Sequence, residues 1–390
     1  MMNWRSTPAL LAALACSASP AFAQPKAATS TLPPPDQMLF WSPPEQAIGF
    51  KSFDKLYAWR PVAAGNVVKA LPSGPALKVS ATLDGAAHDT HAFMRENRVF
   101  GLLVLHKGQV RLEAYAHGLQ PTDRWTSYSV AKSITSTLVG AAVKDGKIRD
   151  LDEPVTAYVP ALKGSAYEGV TIRQTLNMST GVRWDENYLD PNSDTNAIVR
   201  ILSKREAGGL TRHIATSPKA FEPDSKFDYN SGATHVLGEI VTAATGKRLS
   251  DYLSEKIWRP AGMQAEARWT SDGGQEFAGC CINATLRDFG RFGLYALNDF
   301  KGADGVSIVP DGWLTQARKG SPGWKGYGYQ WWIQSEHSFA AIGVFGQMIY
   351  IEPDKDLVVV MLSAYPKPAD RVYSARSQAF ADAISKAVAP

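Results

Sequence analysis

A serine and a lysine three positions apart, Ser129 and Lys132, open a stretch whose residue types can do acyl-transfer chemistry. The stretch runs Thr126-Ser127-Tyr128-Ser129-Val130-Ala131-Lys132-Ser133-Ile134-Thr135-Ser136. Apolar residues recur at Val130, Ile134, Leu138 and Ala141, a helical spacing. Ser127 or Ser129 is the expected N-cap and Gly146 the expected stop. A spacing of i, i+3 puts Ser129 and Lys132 on one helix face. A serine hydroxyl is a poor nucleophile until a neighbouring base takes its proton. A lysine supplies that base when burial lowers its pKa from about 10.4. The N-terminus of the helix adds free N–H groups and a partial positive charge, which favour negative charge forming beside the serine. Spacing alone does not decide the matter. A second Ser-x-x-Lys, Ser52-Phe53-Asp54-Lys55, lies where no helical period is visible and reads as chance.

The elements that must position this pair can be read on either side of it. Residues 99–105 and 110–115 are β-rich runs around a short Gly-containing turn, a hairpin signal. The first run is almost wholly apolar, as a buried strand is; the second alternates. After the serine helix, residues 150–160 read as a short helix between prolines. Residues 171–178 read as a helix capped by Thr171, with Gly181 just beyond. Residues 182–230 are dominated by loop-forming types. Residues 234–245 and 249–257 are helical and end before Pro260. Strand character returns at 327–333, 339–343, 347–352 and 357–362, and residues 371–388 form an amphipathic helix. Short turns between consecutive strands imply antiparallel neighbours. The simplest architecture is α/β in the α+β sense: an antiparallel sheet flanked by helices, built from both ends of the chain around a mostly helical insertion. The expected organisation is a signal peptide at 1–23, a loop-rich segment at 24–95 beginning as an extended leader, an α/β domain from 96–149 plus 271–390, and a mostly helical domain at 150–270.

The chain has 390 residues, with 41 lysines and arginines against 37 acidic residues. That balance singles out no partner, and no basic stripe suits a nucleic acid. The N-terminus has the parts of a secretory signal: Arg5, an apolar run from Ala9 to Ala15, and Ala21-Phe22-Ala23. Cleavage after Ala23 and a periplasmic or secreted protein are expected. The run is too short to span a bilayer, and no later segment looks transmembrane. Lipidation at Cys16 is the weaker alternative, since Ala13 stands where a large aliphatic residue is wanted. The mature chain keeps Cys280 and Cys281. Adjacent cysteines rarely bridge, so they read as two small buried residues on a strand. The seven histidines are scattered, and no metal-ligand spacing appears. No metal or cofactor is expected.

Four places together resemble the serine β-lactamase/penicillin-binding superfamily, in its class C-like and esterase branch, and within it the 6-aminohexanoate-dimer hydrolases. They are Ser129-Val130-Ala131-Lys132; Gly146-Lys147-Ile148 through Leu151-Asp152-Glu153-Pro154-Val155, with Thr171-Ile172-Arg173-Gln174-Thr175-Leu176 and Thr180-Gly181; Phe227-Asp228-Tyr229-Asn230-Ser231-Gly232; and Gly343-Val344-Phe345-Gly346-Gln347 with Tyr350-Ile351-Glu352-Pro353. The similarity runs from about residue 95 to the end of the chain. It implies a β-lactamase/DD-peptidase-like fold. It implies Ser129 as nucleophile, Lys132 as its base, and Tyr229 as a second proton carrier whose pKa neighbouring cations would lower. By itself Tyr229 would read as a core tyrosine. The resemblance further implies an oxyanion hole from the backbone N–H groups of Ser129 and Val344. Substrate contacts would come from Tyr188, Ser231, Gly343 and Phe345, although Tyr188 also reads as an exposed loop aromatic.

Two departures bear on the substrate. The superfamily's second motif has asparagine two residues after the tyrosine; here Ser231 stands there and Asn230 comes one place early. The β-lactamases carry Lys-Thr-Gly on the edge strand; here the match is Ala341-Ile342-Gly343. Loss of that lysine argues against efficient β-lactam hydrolysis. The expected reaction is cleavage of a small linear amide or ester through an acyl-enzyme on Ser129. The alternatives are a class C-like β-lactamase or D-amino-acid peptidase, and a non-catalytic peptidoglycan-binding relative.

Overall fold

Two apolar runs of the described residues lie side by side in the interior of a seven-stranded antiparallel sheet. In spatial order its strands are Gln109–Tyr115, Val99–His106, Leu357–Ser363, Met348–Glu352, Phe339–Ile342, Trp331–Ile333 and Tyr327–Gly328. Val104 pairs with Val359 and Leu102 with Met361, so the sheet is closed by strands from opposite ends of the chain. These positions come from a computed structural model, which describes residues 31–388. The expected signal peptide and Cys16 lie outside the described residues.

Successive side chains of a strand point to opposite faces, and here both faces are covered. Leu103, Leu105, Val358, Val360 and Leu362 enter one core with the serine helix. Leu102, Val104, Val359 and Met361 enter the other with Phe380, Ala381 and Ile384 of the C-terminal helix Arg371–Ala387. The Phe380 ring stacks on Phe93 with centroids 3.9 Å apart. A strand buried on both faces has no polar alternation, which is why both runs are apolar throughout.

The serine helix, Val130–Lys144, is buried on every side from Val130 to Ala142. Most of its hydroxyls therefore find partners inside the protein, Ser136 Oγ being the exception. Ser133 Oγ donates to the Gln330 carbonyl at 2.7 Å, and Thr135 Oγ1 to that of Ala278 at 2.9 Å. The helix start is fixed by a second sheet of four strands, in the order Ala58–Val62, Ala267–Ser271, Ile282–Ala284 and Trp125–Thr126. Ser127 N–H donates to the Ile282 carbonyl at 2.9 Å, and Ile282 N–H returns to Ser127 Oγ at 2.9 Å. Tyr128 then turns the chain at φ 45°. A bulky residue in the left-handed region costs on the order of 1–3 kcal/mol and persists only where its surroundings hold it. Gly146, at φ 68°, follows the end of the helix.

Between Lys144 and Ala267 the described elements are all helical, with isolated bridges only. Thr171 caps Ile172–Leu176 in a reciprocal capping box with Gln174. Residues 150–160 hold only single tight turns, Val155–Ala157 and Pro160–Leu162, because the flanking prolines leave no room for more. The segment read as loop-rich contains the helices Pro43–Gly49 and Thr90–Glu96 and the hairpin Ser80–Leu83 with Ala86–Asp89. Elements of four to seven residues are too short to show a period. The expected leader is also corrected: Pro35–Phe40 forms a tight turn with Met38 and Leu39 buried. In the second Ser-x-x-Lys, Ser52 precedes the one-turn helix Phe53–Leu56 and Lys55 is exposed. The cysteines correct another expectation. Cys280 and Cys281 are joined as a disulfide, in the turn before Ile282–Ala284 rather than on a strand.

Candidate active site

Lys132 is only 1 % exposed, and its ammonium meets three acceptors: Ser129 Oγ at 3.1 Å, Ser231 Oγ at 2.9 Å and the Gly279 carbonyl at 2.9 Å. An ion without such partners would cost several kcal/mol to bury. Burial lowers the Lys132 pKa to about 8, with the Glu186 carboxylate pulling it upward. A neutral amine keeps two N–H groups. Those serve Ser231 and Gly279, and the lone pair is then left for the Ser129 hydroxyl.

Ser231 opens the helix Ser231–Thr245, and Asn230 caps it by accepting the Ala233 N–H at 2.8 Å. The asparagine that sits one place early is thus a cap, worth about 1 kcal/mol. Ser231 Oγ donates to Glu186 Oε1 at 2.6 Å, which frees a lone pair to accept from Lys132. Glu186 also accepts from Ser231 N–H at 3.1 Å, Trp184 Nε1 at 2.5 Å and the Tyr188 hydroxyl at 3.0 Å. Tyr188 is accordingly half-buried at the site rather than free on a loop. Glu186 and Gly279 were missed from the sequence. Glu186 sits beside Tyr188 in Trp184-Asp185-Glu186-Asn187-Tyr188, where nothing separates it from solvent-facing acids. A backbone carbonyl such as that of Gly279 leaves no side-chain signature.

Tyr229 lies under the lysine, with Nζ 5.1 Å from its ring centre, and packs against Tyr327 and Trp332. Its expected pKa shift is reversed. Burial, then the Glu186 carboxylate, hold the phenol above its ordinary range, with the Ser129 side chain pulling the other way. The group is a phenol at neutral pH. It can donate or relay a proton, and it is no standing base.

Gly343 follows the Phe339–Ile342 strand and presses against the turn before Ser129. A Cβ there would lie 2.7 Å from the Ser127 carbonyl and 3.0 Å from Tyr128 Cβ. This close approach brings Val344 to the cavity that Ser129 also lines. Neither the Ser129 nor the Val344 N–H is taken by a protein acceptor among the described residues. Phe345 does not belong to the site. It is fully buried among Phe50 and Tyr128, with ring centres 5.1 Å away in both cases, and faces the core. Ala341 is buried on the same strand and presents no cation. Among the described residues, no cluster of three or more His, Cys, Asp or Glu side chains could hold a metal ion.

Comparison with known proteins bears on the family and the fold. The beta-lactamase family model matches residues 89–383. The 6-aminohexanoate-dimer hydrolase of Paenarthrobacter ureafaciens is 32% identical over 77% of this chain and 81% of its own length. Esterase EstB of Burkholderia gladioli is 29% identical over 44% of this chain and 47% of its own. A solved structure described provisionally as a 6-aminohexanoate-dimer hydrolase from Bacillus anthracis superposes with a TM-score of 0.79. It shares 24% identity and covers 89% of this chain and 95% of that one, which establishes the common fold. The chain belongs to the beta-lactamase family and is a serine hydrolase.

Proposed function

We propose that this protein cleaves small linear amides or esters through an acyl-enzyme on Ser129. The observation that carries the reading is the buried Lys132 amine, 3.1 Å from Ser129 Oγ, with its other hydrogens committed to Ser231 and Gly279. Lys132 takes the serine proton as Oγ attacks the carbonyl carbon. The oxyanion that forms is held by the N–H groups of Ser129 and Val344, each such donor worth about 2.7–4 kcal/mol. The Tyr229 phenol gives its proton to the departing amine or alkoxide and recovers one through Lys132. Water then attacks the acyl-enzyme, its proton returning by the same groups, and the acid is released. Ser231 and Tyr188 hold the lysine and the substrate in register, Ser231 by hydrogen bonding and Tyr188 from the cavity wall.

Two substrates separate this from its rivals. A short p-nitrophenyl ester should be turned over rapidly and a chromogenic cephalosporin slowly, since Ala341 offers no cation to a drug's carboxylate. Rapid cephalosporin turnover without ester cleavage would favour the β-lactamase reading. A fluorophosphonate probe should label wild type and not Ser129→Ala; equal labelling of both sinks the nucleophile. We further propose export with cleavage after Ala23, which N-terminal sequencing of the periplasmic fraction tests. No helix among the described residues is long and apolar enough to cross a membrane.

A further inference from the structure

Beside Ser129 lies a cavity of about 30 Å³ whose far wall is apolar. Ile198, Val199 and Leu202 come from the helix Asp194–Lys204. Phe277 comes from the turn that precedes the disulfide. Met38 and Leu39, 4 % and 3 % exposed, cover the cavity from the N-terminal turn Pro35–Phe40. Two hydrogen bonds hold the start of that turn in place. Trp41 Nε1 donates to the Pro34 carbonyl at 2.7 Å, and the Tyr57 hydroxyl to that of Pro35 at 2.5 Å.

The position of Tyr229 says which half of a substrate enters. The proton donor to the leaving group must stand on the leaving-group side. Tyr229 faces Tyr327 and Trp332 and does not line the cavity. The cavity is therefore on the acyl side.

Its charges say what kind of acyl group fits. No lysine or arginine lines it, so a carboxylate would find no partner. Glu186 is the one charged side chain on its wall, and it sits at the serine end with four protein donors already on it. Asp194, at the start of the apolar helix, is taken by His213 at 2.9 Å and by the Asp185 N–H at 2.8 Å. A terminal ammonium pushed towards Ile198 would be buried unpaired.

We propose that this cavity is an acyl pocket for short, uncharged aliphatic groups, that Met38 and Leu39 set its length, and that it rejects ω-amino acyl groups. The proposal rests on the serine-hydrolase reading above. It parts from the substrate named for the 32%-identical relative, whose acyl half carries an amine.

The test measures kcat/KM for p-nitrophenyl acetate, butyrate, hexanoate and octanoate, and for the p-nitroanilides of hexanoic and 6-aminohexanoic acid. Turnover should peak at acetate or butyrate and fall by at least about tenfold by octanoate, the scale of one to two methylenes in a closed pocket. The hexanoyl anilide should exceed the 6-aminohexanoyl anilide by at least about thirtyfold, because an unpaired charge costs more to bury than a methylene gains. Met38→Ala should raise the octanoate-to-acetate ratio and Met38→Phe should lower it. Misfolding cannot produce opposite shifts from one position. Ile198→Asp should narrow or invert the preference for hexanoyl over 6-aminohexanoyl. Equal or faster cleavage of the 6-aminohexanoyl anilide overturns the proposal, as does a flat chain-length profile in an enzyme that cleaves acetate. Absence of all ester cleavage together with absence of fluorophosphonate labelling overturns the serine-hydrolase reading as well.

Discussion

The two walls of the site are built on different principles. On the lysine side every hydrogen bond is assigned: Ser129, Ser231 and the Gly279 carbonyl share one ammonium, and Glu186 turns the Ser231 hydroxyl. On the cavity side Ile198, Val199, Leu202, Met38 and Leu39 meet by shape, and Thr195 is the one polar residue on the far wall. A buried polar network tolerates no missing member, because the partner left behind is desolvated for nothing. An apolar wall responds to volume, so a change there alters which substrate fits while the chemistry continues. The lysine wall therefore governs rate and the cavity wall governs choice.

Substitutions can break that division or sharpen it. Ser129→Ala should lower kcat/KM by about 10⁴-fold or more with the melting temperature nearly unchanged, as loss of a nucleophile does. Lys132→Met should follow at about 10³–10⁴-fold. In wild type, kcat/KM should rise with pH and level off above about 8, because the base acts only in its neutral form. A flat profile between pH 6 and 9 would remove Lys132 from the role. Tyr229→Phe should cost about 10²–10³-fold, a proton-transfer effect, and more for amides than for activated phenyl esters whose leaving group needs no proton. Equal losses on both substrates would return Tyr229 to the core. Glu186→Gln should cost about 10–100-fold and move the rising limb of the pH profile below 8. The sign follows from the carboxylate, which raises the Lys132 pKa and no longer does so once neutralised. If the limb stays in place, Glu186 belongs to the wall and not to the network.

Much of the fold was readable because its signals are local. The serine helix starts and stops near its expected cap positions, Thr171 caps its helix as expected, and the two continuous apolar runs became paired interior strands. The site was readable where side chains carry the chemistry: the structure brings Ser129, Lys132, Ser231, Tyr188 and Tyr229 together. What stayed hidden depends on direction or on distant neighbours. Phe345 is in the motif but its ring faces Phe50 and Tyr128. The Tyr229 shift has the opposite sign because burial and Glu186 outweigh the downward pull of the Ser129 side chain. Met38 and Leu39 stand in a proline-rich stretch that gives no hint of what it covers. The disulfide between Cys280 and Cys281 runs against the usual expectation for neighbouring cysteines.

The pairing of Val104 with Val359 also sets an order of events during synthesis. Domains whose contacts span long sequence distances fold slowly, since a large loop must close before the pairing rewards it. Here the strand Val99–His106 has no partner on its inner side until nearly the whole chain has been made. The early hairpin, apolar and with an open edge, must wait in a form that invites pairing with other chains. A chain truncated before Leu357 keeps Ser129, Lys132, Tyr229 and Val344 yet lacks the strand that joins the first hairpin to the oxyanion edge. Such a truncation should accumulate as aggregate rather than as a weaker enzyme.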